Sequence, residues 1–251
     1  MIDINKVLRN GYGMLLAYDH GFEYGTSDFD EKSVDPAWVL DIANGGDFTG
    51  FVCHKGIASK YYDRTKHTVP LIIKLNGRTS FKEEHDHVSL QNCSVDEAVS
   101  VGAVGIAYTI YVGGKYEQQM IAEFGRIEYE AHEKGLLVFG WMHAPGETSV
   151  TDGEKKTLAY AARLAMELNA DAVKVKYTGD VQSFSWVVKN AGRTKVFVVG
   201  GPRTDTTYQL LQTAEDIRRA GAAGFAIGRN IWQAKDPREV SKKLARSLYG
   251  E

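Results

Sequence analysis

Short apolar runs rich in β-branched and aromatic residues recur along the chain, separated by longer stretches in which apolar positions return every three or four residues. That alternation predicts parallel strands joined by amphipathic helices, and eight such units are legible. The predicted strands are Met14–Tyr18, Gly50–His54, Leu71–Lys74, Val104–Tyr108, Leu136–Trp141, Ala172–Lys176, Val196–Val199 and Gly224–Ile227. Helices are expected near Asp35–Ala43, from Ile57, from Ser94, over Tyr116–Glu133 and Glu154–Leu168, from Asp180, and over Thr206–Ala220 and Pro237–Leu248. Ser94 and Glu97 have the spacing of a capping box, in which the Glu side chain returns to the cap backbone. Gly135 stands where a helix would end. The segment from Arg78 to Asn92 reads as a long polar loop.

Such a series closes into a (β/α)8 TIM barrel or opens into a doubly wound sheet. The barrel is the expectation, because no Gly-x-Gly-x-x-Gly fingerprint follows the first strand and 251 residues match a fold that typically occupies about 250. No composition break marks a second domain, so residues 1–251 are expected to form one. In that fold the chemistry sits where strands give way to loops at their C-terminal ends.

Charge narrows the function. Thirty basic residues against 32 acidic ones leave a net charge of -2, with no basic footprint for nucleic acid phosphates or anionic lipid. No apolar run approaches the roughly 20 residues needed to cross a bilayer. The first ten residues lack the apolar stretch of a secretory signal, so the expected compartment is the cytoplasm. The two cysteines, Cys53 and Cys93, read as small buried apolar residues.

Alternation along the sixth predicted strand puts Ala172, Lys174 and Lys176 on one face and Val173 and Val175 on the other. If the valines meet the helices, the lysines face the barrel interior, where a desolvated amine is a nucleophile for carbonyl carbon. Structural ion pairs with interior carboxylates are the competing reading. The seventh and eighth strands end in Gly200-Gly201 and Gly228-Arg229, the usual place of a phosphate site in this fold. Tight turns alone would also explain those glycines. Asp19 closes the first strand, as a proton acceptor, a partner for lysine or a loop cap. Trp141 and His143 share a face at the end of the fifth, giving an aromatic wall and a titratable group. His85 and His87 have the spacing of one strand face, but Lys82, Glu83, Glu84 and Asp86 around them suggest a solvated loop, and no metal is expected there.

These residues fall into a recognisable pattern: Leu16-Ala17-Tyr18-Asp19-His20-Gly21, Ile73-Lys74-Leu75-Asn76-Gly77, Asn92-Cys93-Ser94, Tyr108-Thr109-Ile110-Tyr111, Lys174-Val175-Lys176-Tyr177-Thr178-Gly179-Asp180, Gly200-Gly201-Pro202 and Gly228-Arg229-Asn230. Through them nearly the whole chain resembles the archaeal-type class I fructose-1,6-bisphosphate aldolases, a (β/α)8 family of Schiff-base enzymes. The resemblance implies that Lys174 forms the Schiff base, that Asp19 and Trp141 belong to the site, and that Gly201, Gly228 and Arg229 hold phosphate. It makes Lys55 a candidate for a second phosphate. It further implies a phosphorylated sugar as small-molecule partner, no cofactor, and a homo-oligomer, often decameric.

One departure stands out. The family usually reads Trp-x-Tyr-Pro-Arg-Gly after its fifth strand, with the tyrosine as general acid/base, whereas this chain reads Trp141-Met142-His143-Ala144-Pro145-Gly146. Histidine stands for the tyrosine and no arginine follows. Transaldolase-like or thiolase-like chemistry on another phosphorylated ketose therefore stays open, as does a barrel that binds sugar phosphate without turnover.

Overall fold

The computed structural model describes residues 2–79, 87–143, 152–201 and 206–250. After a 3-10 turn at Ile4–Val7, the elements are β1 (Gly13–Ala17), α1 (His20–Glu23), α2 (Pro36–Ala43), β2 (Gly50–His54), α3 (Lys55–Tyr61), β3 (Leu71–Lys74), β4 (Asn76–Gly77) and β5 (Leu90–Gln91). They continue with α4 (Val95–Ser100), β6 (Gly105–Tyr111), α5 (Glu117–Glu133), β7 (Leu137–His143), α6 (Asp152–Glu167), β8 (Ala172–Val175) and α7 (Val181–Ala191). Last come β9 (Lys195–Val199), α8 (Thr207–Arg219), β10 (Gly224–Ile227), α9 (Arg229–Trp232) and α10 (Pro237–Tyr249).

Eight strands close a barrel in the order β1-β10-β9-β8-β7-β6-β3-β2, and every pairing in it is parallel. The expected barrel is the observed one. Alternation sorts the side chains: Leu15, Val52, Ile72, Ala107, Phe139, Trp141, Ala172, Phe197 and Ala226 fill the interior. Their neighbours, among them Leu16, Cys53, Ile73, Tyr108, Val173 and Val175, pack beneath the helices. Both cysteines are buried, as expected. Val7, with no exposure, and its partners Ile4 and Leu8 pack against the interior cluster at the N-terminal end. Full burial of such a side chain contributes about 1.5–3 kcal/mol.

The Ser94–Glu97 capping box forms in both directions at the start of α4. Several boundaries differ from expectation, three of them at the C-terminal ends of strands. β6 runs on through Thr109, Ile110 and Tyr111, β7 runs on to His143, and β8 stops at Val175, leaving Lys176 beyond the strand. The expected polar loop from Arg78 to Asn92 is anchored by a two-stranded antiparallel ladder between β4 and β5. Asn76 locks that ladder to the barrel, donating to Ser89 O at 2.8 Å and Thr109 O at 2.9 Å and accepting from Thr109 N at 2.8 Å. Among the described residues no helix is long and apolar enough to cross a membrane.

Candidate active site

Lys174 is inward on β8, paired in register with Trp141 of β7. Its Nζ lies 3.4 Å from the centroid of the Trp141 ring, and both side chains are buried. The β8 alternation that separates Ala172 and Lys174 from Val173 and Val175 therefore holds. The second lysine of the interior, however, comes from elsewhere. Lys74, at the inward-facing end of β3, has no solvent exposure and points its Nζ at the same indole from 5.0 Å. It pairs with Glu23 of α1 at 2.5 Å. Lys176 is half-buried in the loop that follows β8.

Asp19 stands at the N-cap position of α1 but makes no side-chain cap hydrogen bond. It is buried instead among cationic and imidazole groups. Burial is the largest influence on its carboxyl and pushes it up, yet His20, Lys74, Lys174 and His54 together prevail and hold it at about 2. His20 and His54 are shifted downward, mainly by burial. Both rings are then neutral near pH 7, so the attraction that keeps Asp19 ionised there comes from the lysines. His54 packs edge-on against Phe22, with ring centroids 4.9 Å apart.

Asp19, Glu23 and His54 each bring one ligand atom within 4.8 Å of the others, a spacing that would suit a metal ion. The charges argue otherwise. Glu23 is already held by an ammonium, and both Lys74 and Lys174 pull on the Asp19 carboxylate, so a dication would enter against fixed positive charge. His87 lies beside Arg78, whereas His85 lies outside the described residues, as do Ala144, Pro145 and Gly146.

The two glycine turns meet at the mouth. β9 and β10 are hydrogen-bonded neighbours, and Asn230 Nδ2 donates to Gly200 O at 2.9 Å, tying the Gly200-Gly201 turn to the Gly228-Arg229 turn. Gly228 has no room for a side chain: a Cβ there would lie 2.6 Å from both Ala17 O and His20 Cε1. Arg229 donates to Asp28 at 3.2 Å and faces the Tyr24 ring at 5.5 Å, and its Nε is buried with no partner among the described residues. Lys55 opens α3 and pairs with the exposed Glu97 at 2.6 Å, so its ammonium is engaged outside this cluster.

Across the mouth, Tyr111 of β6 and His143 of β7 are register partners with ring centroids 5.4 Å apart. Arg78 donates from Nε to the Tyr111 hydroxyl at 3.1 Å. Sequence reasoning gave no role to Lys74, Glu23, His54, Arg78 or Tyr111. A lysine ending an otherwise apolar inward strand was the available signal for Lys74.

The comparisons agree with this geometry. The DeoC/LacD family aldolase profile matches residues 13–234. A class 1 fructose-bisphosphate aldolase of Thermoproteus tenax is 45% identical over 244 residues, spanning 96% of this chain and 91% of its own length. A class 1 fructose-bisphosphate aldolase of Halobacterium salinarum is 37% identical over 250 residues, spanning 98% of this chain and 94% of its own. The crystal structure of an archaeal fructose 1,6-bisphosphate aldolase superposes with a TM-score of 0.92 at 44% identity, covering 98% of each chain. Another archaeal aldolase structure, with its catalytic Lys covalently bound to the carbinolamine intermediate of the substrate, superposes at 0.91 with 44% identity and 98% coverage of each chain. With matches of this extent over the barrel that carries Lys174, the chain belongs to the DeoC/LacD family of aldolases.

Proposed function

We propose that this barrel reversibly cleaves fructose 1,6-bisphosphate to dihydroxyacetone phosphate and glyceraldehyde 3-phosphate through a Schiff base on Lys174, a step of glycolysis and gluconeogenesis. The observation that carries the reading is a buried lysine seated on the Trp141 indole at the C-terminal mouth of the barrel. The names of the relatives support the substrate, and the carbinolamine trapped on the lysine of a 44% identical chain supports the chemistry.

In this reading Lys174 gives up its ammonium proton and the free amine attacks the C2 carbonyl; loss of water then leaves an iminium. The iminium draws the electron pair of the C3–C4 bond as the C4 hydroxyl gives up its proton, and glyceraldehyde 3-phosphate departs. The enamine takes a proton at C3, and water releases dihydroxyacetone phosphate. Asp19, held ionised, accepts rather than donates at neutral pH. His143 at the mouth is the partner carrier, in the family tyrosine's place. Trp141 shapes the pocket, Gly200, Gly201, Gly228 and Arg229 receive the phosphate near C1, and Lys176 adds positive charge at the rim. No metal enters the scheme, since the iminium does the polarising. The same reading takes residues 1–251 as one domain working in the cytoplasm as a homo-oligomer, with the decamer as the expected assembly.

Borohydride added with fructose 1,6-bisphosphate should trap an adduct on Lys174, and Lys174→Met should abolish both adduct and cleavage. Full cleavage by an enzyme that forms no adduct would sink the Schiff-base scheme. Adduct with bisphosphate but faster turnover of another phosphorylated ketose would reassign the substrate.

A further inference from the structure

We propose that Asp28 is a positioning residue for the C1 phosphate, acting through Arg229: its carboxylate holds the guanidinium in the orientation that receives the anion. The inference rests on the reading above, in which the Gly228-Arg229 turn takes that phosphate, and adds to it a residue 201 positions away in the chain. Three observations carry it.

The first is the grip on the guanidinium. Arg229 Nη1 donates to Asp28 Oδ2 at 3.2 Å, and the Tyr24 ring centroid lies 5.5 Å from Cζ. Both partners come from the segment between α1 and α2. The paired side chains are 21% and 26% exposed, so neither swings freely in water. An arginine side chain has many rotamers, and fixing one before the anion arrives lowers the entropy lost on binding. Asp28 takes one of the five N–H bonds of the fork, which leaves the group able to give a phosphate paired contacts.

The second is that Asp28 is itself fixed. Its backbone carbonyl accepts from Gln233 Nε2 at 2.8 Å, so the residue is tied to the end of α9 as well as to Arg229 at its start. Next to it, Phe29 packs on Trp232 of α9 with ring centroids 5.4 Å apart and on Tyr18 at 5.5 Å. Trp232 is buried, and its indole donates to Ala17 O at 3.2 Å. Packing against the barrel therefore aims the carboxylate.

The third is what the pair is next to. Arg229 follows β10, two steps from the β8 strand that carries Lys174, and both cations act on the buried His20 ring. The held guanidinium and the reacting amine thus border the same space, as neighbouring C1 and C2 require. A carboxylate beside an anion site opposes the anion by charge. That opposition is screened for a partly exposed pair, whereas the orientation it imposes is not.

The test is the concentration of ketone that gives half-maximal borohydride trapping on Lys174, measured with dihydroxyacetone phosphate and with dihydroxyacetone, which differ only in the phosphate. Asp28→Ala and Asp28→Ser, too short to reach Arg229, should each raise the dihydroxyacetone phosphate requirement by about 3- to 10-fold, the scale of ordering one long side chain on binding. The dihydroxyacetone requirement should change by less than about twofold, because that ketone makes no use of the guanidinium. Asp28→Asn keeps an accepting oxygen and drops the charge, so it should need no more dihydroxyacetone phosphate than the parent. In an Arg229→Ala background Asp28→Ala should add no loss, since its effect runs through the guanidinium. In steady-state cleavage of fructose 1,6-bisphosphate the Asp28→Ala loss should fall on KM rather than kcat. Unchanged or tighter phosphate binding in Asp28→Ala would overturn the proposal by reducing the carboxylate to a counter-charge. Equal losses with both ketones would overturn it by making Asp28 a residue of the fold, and a further loss in the Arg229→Ala background would route its effect through another group. Absence of any adduct in the parent would reject the Schiff-base reading itself, and parental dihydroxyacetone phosphate trapping in Arg229→Ala would reject the phosphate assignment, failures distinct from that of Asp28.

Discussion

Lys74 is the residue on which the interior electrostatics turn. It has no solvent access, and its ammonium meets Glu23 at 2.5 Å beside a buried Asp19. Two carboxylates and two lysines share the space, and each lysine compensates a negative charge that would otherwise be stranded. Breaking one buried pair by removing a single partner costs about 3–5 kcal/mol, chiefly because the orphaned charge cannot reach water. Lys74→Met should therefore lower the unfolding free energy by about that amount in urea titrations. Adding Glu23→Leu should return most of the loss, since an apolar pair of similar volume is often neutral there. Equal losses in the single and double variants would mean that packing, and not charge, is at stake.

At the scale of elements, strand contacts decide which glycines matter. Gly224 opens β10 at φ +146, and a Cβ there would lie 1.8 Å from Gly13 O on β1. Gly224→Ala must push β10 away from β1, combining backbone strain with overpacking, and should cost about 3 kcal/mol or more. Gly125, exposed in mid-α5, has nothing within 4 Å of the same position. Gly125→Ala should raise stability by about 0.5–1 kcal/mol, because alanine loses less conformational entropy in a helix. Thermal melts of the two variants should move in opposite directions, and like shifts would contradict the assigned geometry. The same contrast explains what was legible in the sequence. Strands buried on both faces are continuous apolar runs, so β2, β3 and β10 stood out to the residue. The β4 and β5 ladder is two residues per strand and exposed at Leu90 and Gln91, too short and too wet for any period. Lys174 was readable because two lysines interrupt valines in alternation, and the glycine turns because they end adjacent strands. The Lys74–Glu23 pair joins residues 51 positions apart, and only barrel closure brings them together.

For the whole molecule, a net charge of -2 conceals a mouth where buried imidazoles and a buried carboxylate set the response to acid. His20 and His54 both lie below the ordinary 6.5 in the folded chain, burial being the main cause. Below about pH 6.5 the unfolded chain takes up protons that the folded chain refuses, so stability falls as pH falls; above it both states are neutral and nothing changes. Asp19, at about 2 against an ordinary 3.8, works in the same direction over a lower window. Its contribution is complete above the ordinary value and is lost as pH drops toward 2. Asp180, also near 2 through its bonds to Ser183, adds to that lower limb, so the upper limb identifies the histidines. The urea midpoint should accordingly be level between pH 7 and 8, decline from pH 6.5 to 5, and decline again below 4. In His20→Gln/His54→Gln the decline between pH 6.5 and 5 should flatten, whatever the variant's stability at pH 7, because the slope counts protons rather than contacts. A slope unchanged by the double substitution would place the titrating groups elsewhere, and a midpoint that rises on acidification from pH 7 to 5 would reverse the sign of the whole reading.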